Sequence, residues 1–346
     1  MFDSMVWSDL MFSGYRDNKF NINQTMFNPD VYFQYYYYGK NKVGDICGPS
    51  GSNACSYSKK IAFLKAFSES LERKGMILNT ANEGKIKVYD LITKKWKSEF
   101  KSKFGFDLRV KTYSDTTGSA SSLSTEFLLK KAILELIEKN ALFLFWYGKN
   151  VSSIEINAIS THTLNLLKSK KLHADVYCVD FGKVHTVITL LSTLDNHYYS
   201  AGVSGNCILN TAIEDSVEEA IVLGWADHTR HLLNKNIFPE NYWRENDDGL
   251  RFIKSKNSRN YSIQKDKDYN VKEIIASIPE WVSTLEIGLL PETCSIARLT
   301  TILAYSADLY NGLPNKDVLN VEKKINKMTL QLTDGSLRDY PNLIVR

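Results

Sequence analysis

Apolar positions along this chain follow two periods. Over about Ser58–Gly75, Thr125–Trp146 and Thr211–Arg230 they recur every three to four residues, which predicts helices. Ser58 can cap the first of these and Gly75 can end it. Over Val31–Tyr38, Ile86–Ile92, Ala174–Asp180, Val184–Leu191 and His197–Val203, short runs of β-branched and aromatic residues predict strands. Each helix is preceded by a segment of small residues that reads as a loop: Gly44–Ser58, Ser114–Ser122 and Ser204–Asn210. The polar stretch Asn241–Asn270 reads as a long loop or insertion. No linker requires a division, and no repeat of solenoid length is present. The pattern predicts an α/β (α+β) chain, one domain over residues 1–346, built from recurring loop–helix–strand units.

The three helices share a finer spacing. The first carries Ala62, Ala66, Glu69 and Glu72, the second Leu128, Ala132, Glu135 and Glu138, the third Ala212, Ser216, Glu219 and Val222. Each set follows i, i+4, i+7, i+10 and so keeps to one side of its helix. Carboxylates at i, i+3 repel. From Ala132 to Trp146 the second helix is apolar nearly all round, so Glu135 and Glu138 belong in the interior. A buried carboxylate takes up a proton or finds a cation. Carboxylates from separate helices, with no His or Cys beside them, suit Mg²⁺, which commonly shares its shell with phosphates. In the third helix Glu214, Asp215 and Glu218 fall on another side and read as solvated surface acids.

Composition narrows the remaining classes. Of 346 residues, 43% are hydrophobic and 24% charged, as in ordinary globular chains. With 43 basic and 39 acidic residues the net charge is +4, which does not point to nucleic acid. No apolar run reaches the roughly 20 residues needed to span a bilayer, and the first residues lack a basic signal region. Five scattered cysteines without a CxxC pair predict free thiols and a cytoplasmic location. GxxxxGK[ST], GxGxxG and HExxH are absent. His228 and His231 stand at i, i+3 without a second pair nearby, and the other histidines have no partner spacing. Lys85–Lys111, with Trp96, Phe100 and Phe104 interleaved, reads as an exposed basic flap with an aromatic underside.

Longer motifs carry a resemblance. Gly51-Ser-Asn-Ala-Cys-Ser56 followed by Ala62-Phe-Leu-Lys-Ala-Phe-Ser-Glu-Ser-Leu-Glu-Arg73 resembles the first nucleotide motif of the YcaO family. Asp115-Thr-Thr-Gly118 and Ala132-Ile-Leu-Glu-Leu-Ile-Glu-Lys139 resemble the second, with Lys139 where arginine is usual. Gly202–Cys207 and Ala212–Val222 resemble the third, with Val222 and Leu223 where a glutamine is usual. The likeness covers about residues 30–230. Tyr305-Ser-Ala-Asp308 adds a fainter match to the late Ser-Pro-Asp strand of the family.

The resemblance is to the compact cyclodehydratase subunits of microcin-type thiazole/oxazole peptide synthetases. It implies a YcaO-like domain around a nucleotide site, with ATP and Mg²⁺ as cofactors. It implies Glu69, Glu72, Glu135, Glu138 and Glu219 as metal ligands, Ser52 and Arg73 as further nucleotide contacts, and Arg73 and Glu72 as catalytic groups. The implied reaction is phosphorylation of backbone amides of a ribosomal precursor peptide, giving thiazoline or oxazoline rings from Cys, Ser or Thr. The implied partners are that peptide, a separate leader-binding protein, and a flavin-dependent dehydrogenase in the same complex. The single proline of Tyr340–Arg346 departs from the proline-rich tail of many members. A thioamide- or amidine-forming enzyme and a non-catalytic scaffold subunit stay open.

Overall fold

The chain is known from a computed structural model that describes residues 32–37, 41–43, 46–48, 51–56, 58–80, 84–107, 109, 112–122, 124–155, 159–233, 238–262, 267–290 and 300–345. The described residues form two compact units. One comprises Met1–Ile133 with Ser283–Ala307, the other Leu134–Val282 with Asp308–Arg346.

In the first unit β1 (Tyr32–Tyr37) pairs antiparallel with β4 (Gly51–Ser56), and β2 (Asn41–Val43) pairs with β3 (Ile46–Gly48). Helix α1 (Lys59–Thr80) follows β4. A five-stranded antiparallel sheet is built from β5 (Lys85–Asp90), β6 (Lys95–Phe100), β7 (Ser119–Ser122), β13 (Glu286–Leu289) and β14 (Thr300–Tyr305), in the order β6-β5-β13-β14-β7. Met76, Ile77, Ile86, Val88, Phe104, Phe106, Leu290 and Leu303 fill its core. Phe104 lies over Gly288, where a Cβ would fall 2.4 Å from the ring.

The segment read as a basic flap is the β5–β6 hairpin. Its underside is electrostatic rather than aromatic: Trp96 and Phe100 are exposed and only Phe104 is buried. Lys97 reaches buried Asp90 at 2.7 Å, and Lys103 reaches buried Glu286 at 2.6 Å. Two interior acids therefore fix two of these lysines.

The second unit holds β8 (Asn150–Ile154), β9 (Leu172–Phe181), β10 (Val184–Thr193), β11 (Tyr198–Asn206) and β12 (Asn257–Asn260), in the order β11-β10-β9-β8-β12. Neighbours are antiparallel except the β8–β12 pair. Residues Leu134–Tyr147 of helix α2 (Thr125–Tyr147) pack on one face through Phe145 and Tyr177. Helix α4 (Leu209–Leu233) lies on the other, where Thr189 and Ser216 share a hydroxyl–hydroxyl bond of 2.8 Å. Smaller helices complete the unit: α3 (Thr161–Ser169), α5 (Tyr242–Lys254), α6 (Val271–Ile275), α7 (Lys324–Met328) and α8 (Asp334–Leu337).

Lys256 ends α2. Its amine donates to the carbonyls of Phe145, Trp146 and Gly148, while burial pushes its pKa down to about 7. Asn140, fully buried, exchanges hydrogen bonds with the Tyr310 backbone and pins that segment to the same helix. Among the described residues no helix is long and apolar enough to cross a membrane.

Four more sequence expectations change. The first helix does not end at Gly75. It continues to Thr80 because buried Met76 and Ile77 extend its apolar stripe. Asn241–Asn270 is no long loop. It contains α5, whose buried Asn246, Gly249, Leu250 and Ile253 lie on one face of a polar sequence, and β12. Glu214 is not a bare surface acid, since it accepts from the Ser160 amide and the Thr163 hydroxyl at the start of α3.

The fourth change is the most consequential. The small-residue segments read as loops contain β4, β7 and the end of β11. Small side chains are required where a helix backbone lies almost against a strand, as it does just before the last of these segments. A Cβ on Gly202 would fall 2.2 Å from the Ser216 carbonyl oxygen and 2.4 Å from the Ala220 nitrogen. Gly202→Ala should therefore destabilise the chain by about 3 kcal/mol through overpacking. Gly335→Ala, whose Cβ meets only Thr333 at 3.6 Å, should leave it nearly unchanged. Urea denaturation followed by circular dichroism measures both.

Candidate functional site

In the first unit Ser52 of β4 is fully buried and its hydroxyl donates to the Ala66 carbonyl of α1. This seats the helix on the strand and sets the height of the two glutamates that follow. Glu69 accepts from Arg73 at 2.5 Å and from the Asn53 backbone amide. Arg73 also donates to the Gly51 carbonyl, and its buried Nε finds no partner among the described residues. Glu72, only 4% exposed, accepts from the Ser121 amide of β7 at 2.8 Å and from Lys131 at 3.4 Å.

Burial raises both carboxyls above the ordinary glutamate value. Arg73 opposes this most at Glu69, Lys131 most at Glu72, and neither cation cancels it. Each proton is thus held more tightly than in water, and an added cation would displace it.

In the second unit Glu138 accepts from the Gly205 amide of β11 at 2.8 Å with one oxygen and from Lys139 at 2.6 Å with the other. Glu219 accepts from the Val203 amide of the same strand at 2.6 Å. Lys139 is 8% exposed. Burial opposes its charge, but Glu138, Glu219 and Glu135 outweigh that and hold the ammonium above the usual lysine range. These three acids and one base carry two more negative charges than positive ones, which a divalent cation would balance.

A common geometry links the two groups. β7 and β11 are border strands of their sheets, and β4 has only β1 beside it. Ser121, Val203, Gly205 and Asn53 are the residues whose amides meet Glu72, Glu219, Glu138 and Glu69. The glutamates therefore satisfy N–H groups that the ladder leaves over. Binding an amide through one oxygen also fixes where the other points, as outer-shell hydrogen bonds do for metal-ligating carboxylates.

The structure thus gathers Glu69, Glu72 and Arg73 in one unit, and Glu135, Glu138 and Glu219 in the other. The Ser52 hydroxyl is buried and bonded to Ala66, so that group serves packing. Val222, at the position of the missing glutamine, is buried on α4. His231 packs against Phe238 and Trp243. Lys131 escaped the sequence reading, although its spacing of four from Glu135 places it on the side of α2 that carries the acids. A second group, Cys178, Asp180 and His185, also escaped it.

No protein-family model matches the chain, and no curated protein matches it significantly. Solved structures do. A chain of the E. coli microcin synthetase McbBCD complex with pro-MccB17 bound superposes with a TM-score of 0.67 at 14% identity, covering 98% of this chain and 99% of that one. A chain of the E. coli microcin synthetase McbBCD complex gives 0.62 at 14% identity, covering 93% and 97%. YcaO from Methanopyrus kandleri, bound with AMPPCP and Mg²⁺, gives 0.63 at 10% identity, covering 84% and 86%. The chain has a YcaO-like α+β fold.

Lys139→Met should leave three neighbouring acids without their shared ammonium and cost about 3 kcal/mol at neutral pH. Because the folded pKa lies above 10.5, the ammonium stabilises at all pH below that value and loses its effect only at higher pH. On the acid side the deficit should shrink as the glutamates protonate. Urea titrations of parent and variant across pH would show a difference that is largest between these limits.

Proposed function

We propose that this chain is an ATP- and Mg²⁺-dependent YcaO enzyme that phosphorylates backbone amides of a precursor peptide and so closes thiazoline or oxazoline rings. The observation that carries this reading is the pair of carboxylate groups held on strand-border amides, set in a fold shared with a protein solved with AMPPCP and Mg²⁺ and with a microcin synthetase solved with pro-MccB17. Glu69, Glu72, Glu135, Glu138 and Glu219 would supply the magnesium ligands. Arg73, held between Glu69 and the Gly51 carbonyl, would orient Glu69 and face phosphate. Bound Mg·ATP supplies the phosphoryl group.

The chain's own residues would hold the carboxylates in position and replace water around a developing oxyanion with fixed charge. A peptide hydroxyl or thiol adds to the preceding carbonyl carbon. The carbonyl oxygen takes the γ-phosphoryl group and leaves as phosphate, so each ring removes one water overall. A separate leader-binding protein and a flavin-dependent dehydrogenase are the partners we assign, in the cytoplasm. The free thiols of Cys55, Cys178 and Cys207 suit that compartment.

One observation favours a second reading. The glutamates already serve the fold by satisfying border-strand amides, so a non-catalytic scaffold subunit would keep them too. Thioamide or amidine formation would use the same activation with another nucleophile.

Phosphate release measured with the cognate peptide and partner should be stimulated by the peptide and fall at least about a hundredfold in Glu72→Gln and in Glu138→Gln. Product mass should drop by one water per ring. ATP binding without phosphate release under any such condition would establish the scaffold.

Because Glu72 is raised above 4.5 when folded, Mg·ATP affinity should weaken on acidification while the pH is still above that value. The same shift makes the ionised carboxyl a cost to the ligand-free fold above its folded pKa and no cost below 4.5. Glu72→Gln should therefore keep ligand-free stability within about 1 kcal/mol of the parent at neutral pH. Calorimetric binding and thermal melts across pH read both effects.

A further inference from the structure

The β9–β10 hairpin carries a cluster that the reaction above does not use. Cys178 and Asp180 alternate along β9 on one face, and Asp180 stands directly across from His185 of β10. The turn between them is held firmly. Gly182 has φ of 63°, and a Cβ there would fall 2.5 Å from the Ser277 carbonyl oxygen. The Lys183 amide donates to the Ser277 hydroxyl at 2.9 Å. Asp180 Oδ1 lies 2.8 Å from His185 Nδ1 and 3.7 Å from Cys178 Sγ. One donor atom from each of the three residues lies within 4.8 Å of the others. The Tyr261 hydroxyl donates to both Asp180 oxygens, at 2.9 and 3.0 Å.

We infer that Cys178, Asp180 and His185 form a binding site for a divalent transition metal ion, Zn²⁺ by its donor set, separate from the magnesium–nucleotide chemistry. Sulfur, imidazole nitrogen and carboxylate oxygen together select zinc over magnesium, which takes oxygen. Bonds of about 2.0–2.3 Å to a tetrahedral ion place neighbouring donors roughly 3.3–3.6 Å apart, between the 2.8 and 3.7 Å that separate Asp180 from His185 and from Cys178. Thiolate and carboxylate together balance the ion's two positive charges, so its complex is neutral where Cys178 and His185 are buried. Binding moves the thiol proton to solvent. The Tyr261 hydroxyl also lies 3.0 Å from His185 Nδ1 and hydrogen-bonds with Cys178, so it faces all three donors and would turn aside as the ion enters.

A nucleophilic role for this thiol is ruled out by access. Cys178 is 2% exposed, too buried for a peptide to reach. An ion can enter past Asp180, whose side chain is one-third exposed. The face matters as well. His185, Val187 and Thr189 share a side of β10, and Thr189 bonds Ser216 of α4. The cluster is therefore on the α4 face of the sheet, whereas Gly205 and its partner Glu138 are on the α2 face.

The test uses the full chain, reduced and freed of metal, titrated with Co²⁺ in excess Mg²⁺ so that carboxylate sites are saturated. The expected result is one Co²⁺ per chain with a near-ultraviolet thiolate charge-transfer band and tetrahedral visible bands, both erased by Zn²⁺. Cys178→Ser should abolish the thiolate band, and Cys207→Ser should keep it. Asp180→Asn and His185→Ala should each weaken binding by about tenfold or more. Asp180 is partly exposed, so its variant keeps the test valid should Cys178→Ser fail to fold by circular dichroism. Absence of a stoichiometric Co²⁺–thiolate complex in the parent, or an unchanged complex in the folded Cys178→Ser or Asp180→Asn chain, would overturn the inference.

Discussion

A strand at the border of a sheet leaves alternate N–H groups without a partner in the ladder, and in this chain glutamate carboxylates take them up. Glu72 does so for Ser121, Glu219 for Val203 and Glu138 for Gly205. Much else follows from this bond. A carboxylate can reach a strand backbone only if its helix lies close, so the strand must carry Ser52 or Gly202 where the helix crosses, and the helix must offer Ala66, Ser216 or Ala220 in return. The same closeness buries Glu72 and half-buries Glu69, Glu138 and Glu219. Burial then raises Glu69 and Glu72 above the usual carboxylate range and draws Lys131 and Lys139 toward their groups. Packing, hydrogen bonding and electrostatics are here one constraint viewed at three scales.

This explains what the sequence disclosed and what it hid. The spacing of small residues and glutamates was legible because a helix converts it into one face: Ala62, Ala66, Ala212 and Ser216 are all fully buried. The acids could be assigned to a shielded place because Ala132–Trp146 has no polar side on which to expose them. The segments before the helices were misread as loops because Gly and Ser lack β propensity in isolation. Their strand state comes from pairing partners distant in sequence, as when Ser121 faces Thr301. Helix α5 was hidden for the converse reason, since its few apolar residues are diluted among charges and its buried face includes Asn246 and Gly249.

The Cys178 group was hidden differently. Its members have no helical or CxxC spacing, and they meet only through the register of a hairpin with two residues at its turn, Gly182 and Lys183. Had that turn been placed, Asp180 and His185 would have been recognised as directly opposed. Lys131 was overlooked because a lysine on a helix is usually solvated, and Lys139 was noted only as standing where arginine is usual. Only the accumulation of acids around Lys139 draws it inside.

The border-amide bond also bears on how the two readings of the function can be separated. A carboxylate that satisfies a strand amide is retained by the fold whether or not chemistry occurs, so the glutamates by themselves speak less for catalysis than their number suggests. What the fold does not require is the surplus of negative charge around Lys139. An apolar or singly acidic arrangement would satisfy Val203 and Gly205 with less repulsion. Holding three acids against one ammonium costs stability, and a bound divalent ion would recover it. The excess charge is therefore the part of the site that points beyond the fold to a metal ion.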